Sequence, residues 1–252
     1  MSGWMMMRQL LRRSGLLQLH QKSSSMVTSD FIDNNLTVSR DHLTPELPLH
    51  LLTSSCPLYH CPAPDLNLPD PWWAIYWPGG QVLARTVLDN PGLVRGRRVL
   101  ELGCGCGGLS LAAVRSGAMT VTANDIDQNA VNATLRNMKL NHIQEGDIAF
   151  NTENLLEGQH DDTLEDVDTL LIGDMFYDEV IGSSVLEMCK KFVKISGDKE
   201  VLLGDPGRWF WSTSEPVVSS LFTCISKHSL PTTTKMENYG FENGFAWKMR
   251  ES

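Results

Sequence analysis

The sequence predicts an α/β fold: a doubly wound, mostly parallel sheet of seven strands, preceded by an N-terminal extension. Apolar, strand-like runs alternate with helical patterns over residues 98–204, and several of these runs are apolar without interruption. A glycine-dense turn joins the first run to the helix that follows it. Alternation of this kind is typical of parallel sheets covered by helices on both faces. A chain of 252 residues is long enough for one such domain with extensions.

The predicted elements follow one another with short connections. A helix over residues 81–90 leads through a Pro-Gly turn to the first strand, residues 98–102. The other expected elements are a helix at 108–116, a strand at 119–124, a helix at 128–140, strands at 147–150 and 167–172, a helix at 178–194, a strand at 200–204 and two strands near 221–228 and 244–249. The last two are expected to form a terminal hairpin, which is antiparallel.

Composition divides the chain into three parts. Residues 1–29 carry three arginines, one lysine and no acid among leucines and methionines, which is typical of a mitochondrial transit peptide; the alternative is a disordered basic tail. Residues 30–80 hold eight prolines and are expected to form an extended arm rather than a second core. Residues 81–252 are expected to form the folded domain.

Charge and cysteine content narrow the function classes. The formal net charge of −9 argues against nucleic acid as the main partner and favours a basic protein or peptide substrate. The apolar stretches of residues 1–29 are too short for a membrane span. Six cysteines in a chain of this size do not indicate a disulfide framework. The pair Cys56 and Cys61 lacks a second pair of ligands, so no metal site is expected.

The glycine-dense turn follows the first strand and indicates a nucleoside cofactor. Gly103, Gly105 and Gly107 lie two, four and six residues after the acid Glu101, and Gly108 follows directly. A dinucleotide turn has similar glycines, but a carboxylate beside a pyrophosphate repels it. S-adenosylmethionine carries a sulfonium and an ammonium, so an acid favours it. The acid-x-Gly-x-Gly-x-Gly pattern is the signature of class I methyltransferases, and we expect S-adenosylmethionine rather than NAD.

A second acid lies at the end of the next predicted strand. Asp125 follows the glycine turn by about 20 residues, which is where an acid hydrogen-bonds the ribose hydroxyls. Ile126 is placed to pack on the adenine. Asp127 fits a simpler role, the N-cap of the helix that begins at residue 128.

Polar and aromatic side chains follow three later strands. Residues 151–154 end the third strand, where an adenine amino group is usually bound; Asn151, Glu153 and Asn154 are alternatives, and Asn154 fits best. The fourth strand ends in Asp174-x-x-Tyr177, an acid and an aromatic that suit a cationic amine better than a neutral amide. Asp178 is expected to cap the following helix. The fifth strand ends in residues 205–208, DPGR, which form a turn by composition; the alternative is a substrate-facing role.

The chain resembles the seven-strand protein-lysine methyltransferases that carry an Asp/Glu-x-x-Phe/Tyr motif. Within them it closely resembles the electron transfer flavoprotein β-subunit lysine methyltransferase family. The stretches that carry the resemblance are HLTPELPLHLLT (42–53), WAIYWPGGQVLAR (73–85), VRGRRVLELGCGCGG (94–108), ANDID (123–127), GDMFYDE (173–179) and VLLGDPGR (201–208).

The resemblance implies a function and roles for individual residues. The expected function is S-adenosylmethionine-dependent lysine methylation of the electron transfer flavoprotein β subunit in the mitochondrial matrix. Asp174 and Tyr177 are then the catalytic residues. The cofactor-binding residues are Trp77, Glu101, Gly103, Gly105, Gly107, Asp125, Ile126, Asn154 and Asp174.

The expected chemistry is an in-line displacement, for which the protein mainly aligns two atoms. Asp174 orients the lysine ammonium before it loses its proton. Phe176 and Tyr177 are expected to line a channel for the lysine. The aromatic cluster before them either lines the same channel or packs the arm on the core: Trp72, Trp73, Tyr76 and Trp77. The alternative functions are methylation of a ribosomal protein or a small amine, and a cofactor-binding module without turnover.

Overall fold

The computed structural model describes residues 27–60 and 70–250. The predicted transit segment, residues 1–29, therefore lies outside the described residues except for its last three. Within the described residues, no helix is both long enough and apolar enough to cross a membrane.

The N-terminal arm is folded against the core, whereas the sequence predicts an extended segment. Its elements are α1 (Ser29–Asn35), β1 (Thr37–Ser39), β2 (Leu49–Leu51) and α2 (Pro57–His60). The two strands pair antiparallel. The reason is hydrophobic burial, which the proline count obscures: Ile32, Leu47 and Leu49 are each at most 2% exposed.

The remaining helices and strands confirm the predicted alternation, with ends shifted by at most three residues. They are α3 (Pro78–Asp89), β3 (Arg98–Leu102), α4 (Gly108–Arg115), β4 (Thr120–Asn124), α5 (Gln128–Leu140), β5 (Ile148–Asn151), α6 (Asp161–Glu165), β6 (Thr169–Gly173), α7 (Glu179–Ile195), β7 (Glu200–Asp205), α8 (Trp209–Thr213), α9 (Glu215–Leu221), β8 (Phe222–Ser229), α10 (Thr232–Glu237) and β9 (Asn243–Met249). Short 3-10 turns lie at Trp72–Ala74 and Pro91–Leu93. The sequence analysis missed α6 and the helices α8 to α10.

Seven strands form one sheet in the order β5-β4-β3-β6-β7-β9-β8. The first five are parallel, and β9 pairs antiparallel with both β7 and β8. The predicted mostly parallel sheet and its terminal hairpin are confirmed, although α10 lies between the two hairpin strands. The strand order reverses between β3 and β6, and ligands of such sheets bind at that switch point.

Alternate residues of the strands enter two separate apolar cores. Val99, Val121 and Leu171 pack on the face covered by α3, α4 and α5. Leu100, Leu170 and Leu203 pack on the opposite face with side chains of α7 and α8. Burial on both faces explains why these strands are apolar without interruption.

Helix α3 begins at Pro78, three residues before its predicted start. The predicted boundary between the arm and the folded domain, after residue 80, therefore lies inside this helix. Proline suits the first helical position because its missing N–H has no partner there. The helix packs on β6, β7 and β9. This contact is close because Gly79 and Gly204 have no side chains: a Cβ on Gly79 would lie 2.2 Å from the Gly204 carbonyl oxygen and 2.6 Å from the Asp174 nitrogen.

We expect Gly79→Ala to lower the free energy of unfolding by about 1–3 kcal/mol, because the added methyl forces α3 away from the sheet. Denaturant titration measures this loss. Gly92→Ala is the matched control, since a Cβ there meets no atom within 4 Å. Equal stability of the two variants would contradict the close packing described here.

Candidate active site

The carboxyl ends of β3 and β6 are neighbours, and the loops that leave them border the crevice that a sheet of this topology forms at its switch point. The register pairs Leu102 with Ile172, so residues 103–107 and 174–178 start from the same edge of the sheet. Residues 125–127 leave the same edge after β4. The structure thus brings the predicted glycine turn, the predicted ribose acid and the predicted acceptor acid together at the switch point.

Packing as well as backbone conformation requires glycine in the turn. Gly103 and Gly107 have φ angles of 70° and 79°, a left-handed conformation that side chains disfavour. A Cβ on Gly103 would lie 2.8 Å from the Met175 sulfur, and one on Gly107 would lie 2.5 Å from Thr134. Gly105 is half-buried and has a positive φ as well. The turn therefore fits tightly between the β6 loop and α5.

Glu101 differs from its predicted role as a standing negative charge beside the cofactor. Its side chain is buried, and the hydroxyl of Ser110 on α4 donates a hydrogen bond to Oε2. Burial raises the pKa of Glu101 to about 8. The carboxyl is therefore largely protonated near neutral pH, and a nearby cation would favour its ionised form.

Asp125 contacts the glycine turn directly. Its Oδ2 accepts the N–H of Gly105 at 3.0 Å, and its Oδ1 accepts the N–H of Asp127 at 3.0 Å. Asp127 caps α5 by accepting the N–H of Asn129, which confirms the predicted cap. Ile126 is half-buried between the two acids. The acid at the end of β4 and the turn after β3 thus form one unit.

Asn154 is exposed, and its Oδ1 accepts the N–H of Leu156 at 3.2 Å. The end of β5 is held instead by buried Asn124, whose amide donates to the carbonyls of Asn151 and Glu153. The sequence analysis did not single out Asn124. An amide as the last residue of a strand was the available signal.

Asp174 is buried and forms hydrogen bonds with three parts of the fold. Its φ of 62° is rare for a residue with a side chain. Its N–H donates to the carbonyl of Gly204 at 2.9 Å, and its Oδ2 accepts the N–H of Gly79 at 2.7 Å. Gly79 lies in the first turn of α3, where the helix dipole favours a negative charge. The other carboxylate oxygen of Asp174, Oδ1, accepts a hydrogen bond from Nε of Arg208.

Arg208 lies in a pocket of aromatic rings. Its guanidinium carbon is 5.4 Å from the ring centre of Trp77, 5.8 Å from that of Tyr239 and 5.2 Å from that of Phe241. Arg208 is 7% exposed in total. The sequence analysis considers a substrate-facing role for the turn at residues 205–208, but it leaves Arg208 out of the predicted site. Trp77, predicted to contact the cofactor, stacks on this arginine, and its indole N–H donates to the carbonyl of Trp72 at 3.0 Å.

Burial separates the candidate aromatic residues into two groups. Phe176 is fully buried and packs on Phe210 and Trp211, so it is part of the core and does not line a channel. Trp73 and Tyr76 are also buried. The half-buried members are Trp72, Trp77 and Tyr177. Asp178 caps α7 by accepting the N–H of Ile181 at 2.8 Å, as predicted.

The donor set of this crevice fits a cationic nucleoside cofactor. The glycine turn and the segment at the end of β4, residues 103–108 and 124–127, contain two aspartates and no lysine or arginine. A pyrophosphate would meet no compensating positive side chain from these segments. Among the described residues, no group of three or more His, Cys, Asp or Glu side chains is placed to hold a metal ion; Cys61 lies outside them.

Comparison with known proteins assigns this chain to a family. Residues 83–170 match the family model described as ribosomal protein L11 methyltransferase (PrmA). A Xenopus laevis electron transfer flavoprotein β-subunit lysine methyltransferase is 41% identical over 227 residues, which cover 90% of this chain and 89% of that protein. The chain belongs to this family. Its Homo sapiens member is 39% identical over 218 residues, covering 86% of this chain and 80% of that protein. A Caenorhabditis elegans homologue is 34% identical over 241 residues, covering 91% and 98%.

Family membership and sheet topology together confirm the main predictions from the sequence. The fold is that of the class I methyltransferases, and the chain is a methyltransferase that depends on S-adenosylmethionine. The residues predicted to bind the cofactor around the glycine turn lie together, whereas Trp77 contacts Arg208, the partner of Asp174.

We expect the affinity for S-adenosylmethionine to depend on the ionisation of Glu101. Because burial raises the pKa of Glu101 to about 8, the ionised form that favours a cation increases as pH rises towards that value. Wild-type protein should therefore gain affinity relative to Glu101→Gln between about pH 6 and 8, by up to about tenfold per pH unit. Titration calorimetry at several pH values measures both proteins. Parallel pH profiles for the two proteins would contradict this role.

Proposed function

We propose that this chain methylates lysine side chains of the electron transfer flavoprotein β subunit in the mitochondrial matrix. Support for the substrate comes from the relatives that carry its name. They are 34–41% identical to this chain over 90–91% of its length. Support for a lysine acceptor comes from one observation in the fold: a carboxylate, Asp174, lies at the switch point next to the glycine turn, with half-buried Tyr177 on the same loop. The basic composition of residues 1–29 supports a mitochondrial location.

In this proposal the glycine turn and Asp125 hold the cofactor. Backbone groups of residues 103–107 approach it closely, Asp125 hydrogen-bonds the ribose, and Ile126 packs on the adenine. For the Asp125 carboxylate to bind a hydroxyl, it either uses its remaining lone pairs or releases Gly105. Asn154 is our candidate for the adenine amino group. When bound, S-adenosylmethionine supplies an electrophilic methyl group.

Asp174 receives the substrate lysine. A carboxylate has about four acceptor sites, and Gly79 and Arg208 use one on each oxygen, so lone pairs remain for an ammonium. The side chain of Asp174 is only 2% exposed, so lysine entry requires neighbouring side chains to open. Half-buried Tyr177 lies three residues away on the same loop and is the candidate to flank the lysine as it enters.

The reaction also requires loss of one proton, because only a neutral amine attacks. A free lysine has a pKa of about 10.4, so less than about 1% is neutral at pH 7–8. Asp174 orients the ammonium, the proton leaves to water, and the freed lone pair faces the methyl group. An aromatic ring beside the nitrogen attracts methylated ammonium as well as ammonium, which permits repeated transfer.

Intact-mass analysis tests the substrate assignment. Purified chain is incubated with S-adenosylmethionine and unmodified electron transfer flavoprotein β subunit, and in parallel with an extract of cells that lack the enzyme. We expect the β subunit to gain mass in steps of one methyl group. Labelling of a ribosomal protein or a small amine, with none on the β subunit, would replace the proposed substrate. Binding of the cofactor without any transfer would indicate a module that has lost turnover.

We expect Asp174→Asn to abolish methyl transfer and to leave cofactor binding largely intact. Asparagine keeps the shape and one acceptor for the Gly79 N–H, but it removes the charge that holds the ammonium. Single-turnover transfer and calorimetric cofactor binding are measured on the same preparation. Asp178→Asn is the matched control, because that acid caps α7 with an oxygen that asparagine retains. Transfer at the wild-type rate by Asp174→Asn would rule out this role.

A further inference from the structure

A buried polar cluster surrounds Asp174 and extends beyond the predicted site. It consists of Asp174 at the end of β6, Asp205 at the end of β7 and Arg208 three residues later. Each of these three residues is between 1% and 7% exposed. Arg208 donates from Nε to Asp174 and lies against three aromatic rings on its other sides.

Asp205 fixes the backbone from which Arg208 reaches Asp174. Its Oδ1 accepts the N–H of Gly207 at 2.6 Å and that of Arg208 at 2.7 Å. The Asp205 side chain therefore stabilises the turn at residues 205–208 by these two hydrogen bonds. Gly207 adopts a positive φ of 97° within this turn. A change at Asp205 would move the base of the arginine side chain.

The cluster favours the entry of another cation. It contains two carboxyl groups and one guanidinium, and Oδ2 of Asp205 is buried without a hydrogen-bond partner. Burial, and after it the charge of Asp174, raises the pKa of Asp205 to about 7. The two acids thus compete for one positive charge, and an ammonium brought to Asp174 would relieve that competition.

We propose that Arg208 and Asp205 are positioning residues for methyl transfer. Arg208 fixes the plane of the Asp174 carboxylate, so that its remaining lone pairs face the entering amine, and Asp205 fixes Arg208. The inference rests on the proposed role of Asp174 as the acceptor of lysine. It adds two residues that touch neither the methyl donor nor the lysine nitrogen but decide whether Asp174 is aligned.

Steady-state kinetics with the β subunit, together with cofactor binding, test this inference. Arg208→Gln removes the charge and the Nε donor, and we expect kcat/KM to fall by about 100-fold while cofactor affinity stays unchanged. Arg208→Lys keeps a cation near Asp174 and should recover part of this loss. Asp205→Asn keeps the acceptor for both N–H groups and should lose much less activity than Asp205→Ala, which should resemble Arg208→Gln.

A matched control separates positioning from general loss of an ion pair. Arg98 pairs with Asp168 at the opposite end of β3, so Arg98→Gln should leave kcat/KM unchanged. If Arg208→Gln does not fold, the comparison of Arg208→Lys with the two Asp205 variants decides the question.

Three results would overturn the inference. They are wild-type kcat/KM in Arg208→Gln, equal losses in Asp205→Asn and Asp205→Ala, and a fall in cofactor affinity that matches the fall in kcat/KM. Failure of the proposed function looks different, because the wild-type chain would then bind cofactor and transfer no methyl group to the β subunit.

Discussion

The ion pair between Asp174 and Arg208 is the interaction on which the candidate site depends. It joins the loops that follow two adjacent strands, β6 and β7, and the same carboxylate accepts an N–H from the first turn of α3. A buried carboxylate without such partners would be costly, since desolvation disfavours its charge. Arg208 and the first turn of α3 supply a cation and an N–H donor to this carboxylate in a place with little contact to water.

This constraint explains why glycine recurs around the site. The Gly204 carbonyl accepts the N–H of Asp174, and Gly79 packs directly on Gly204. Side chains at either position would separate α3 from the sheet and remove a donor from the carboxylate. Gly103 in turn leaves room for Met175, the residue after Asp174. The cofactor turn and the acceptor loop are therefore packed on each other, as alignment of a donor and an acceptor requires.

Much of the fold was predictable from the sequence because the relevant signals are local. Apolar runs, alternation with helices and the glycine turn identified every strand of the large sheet. Two N-caps, Asp127 and Asp178, followed from residue type and position alone. The arm was predicted less well, since its prolines are visible in composition whereas the burial of Ile32 and Leu49 depends on the rest of the fold.

The candidate site was predictable in its residues but not in its electrostatics. Asp174 and Asp125 lie where the motifs place them. The protonation of Glu101 depends on burial, and the pairing of Asp174 with Arg208 joins residues 34 positions apart; no local pattern reports either. Phe176 was expected to line the lysine channel because it lies within the motif, but its side chain points into the core on the face of the sheet opposite α3.

The most direct measurement is a crystal structure of the chain with S-adenosylhomocysteine and a lysine-containing peptide of the electron transfer flavoprotein β subunit. Our account predicts the lysine nitrogen within hydrogen-bonding distance of a carboxylate oxygen of Asp174, in line with the thioether sulfur, while Arg208 still contacts the same carboxylate. A lysine nitrogen bound elsewhere, with Asp174 closed off from it, would contradict the account.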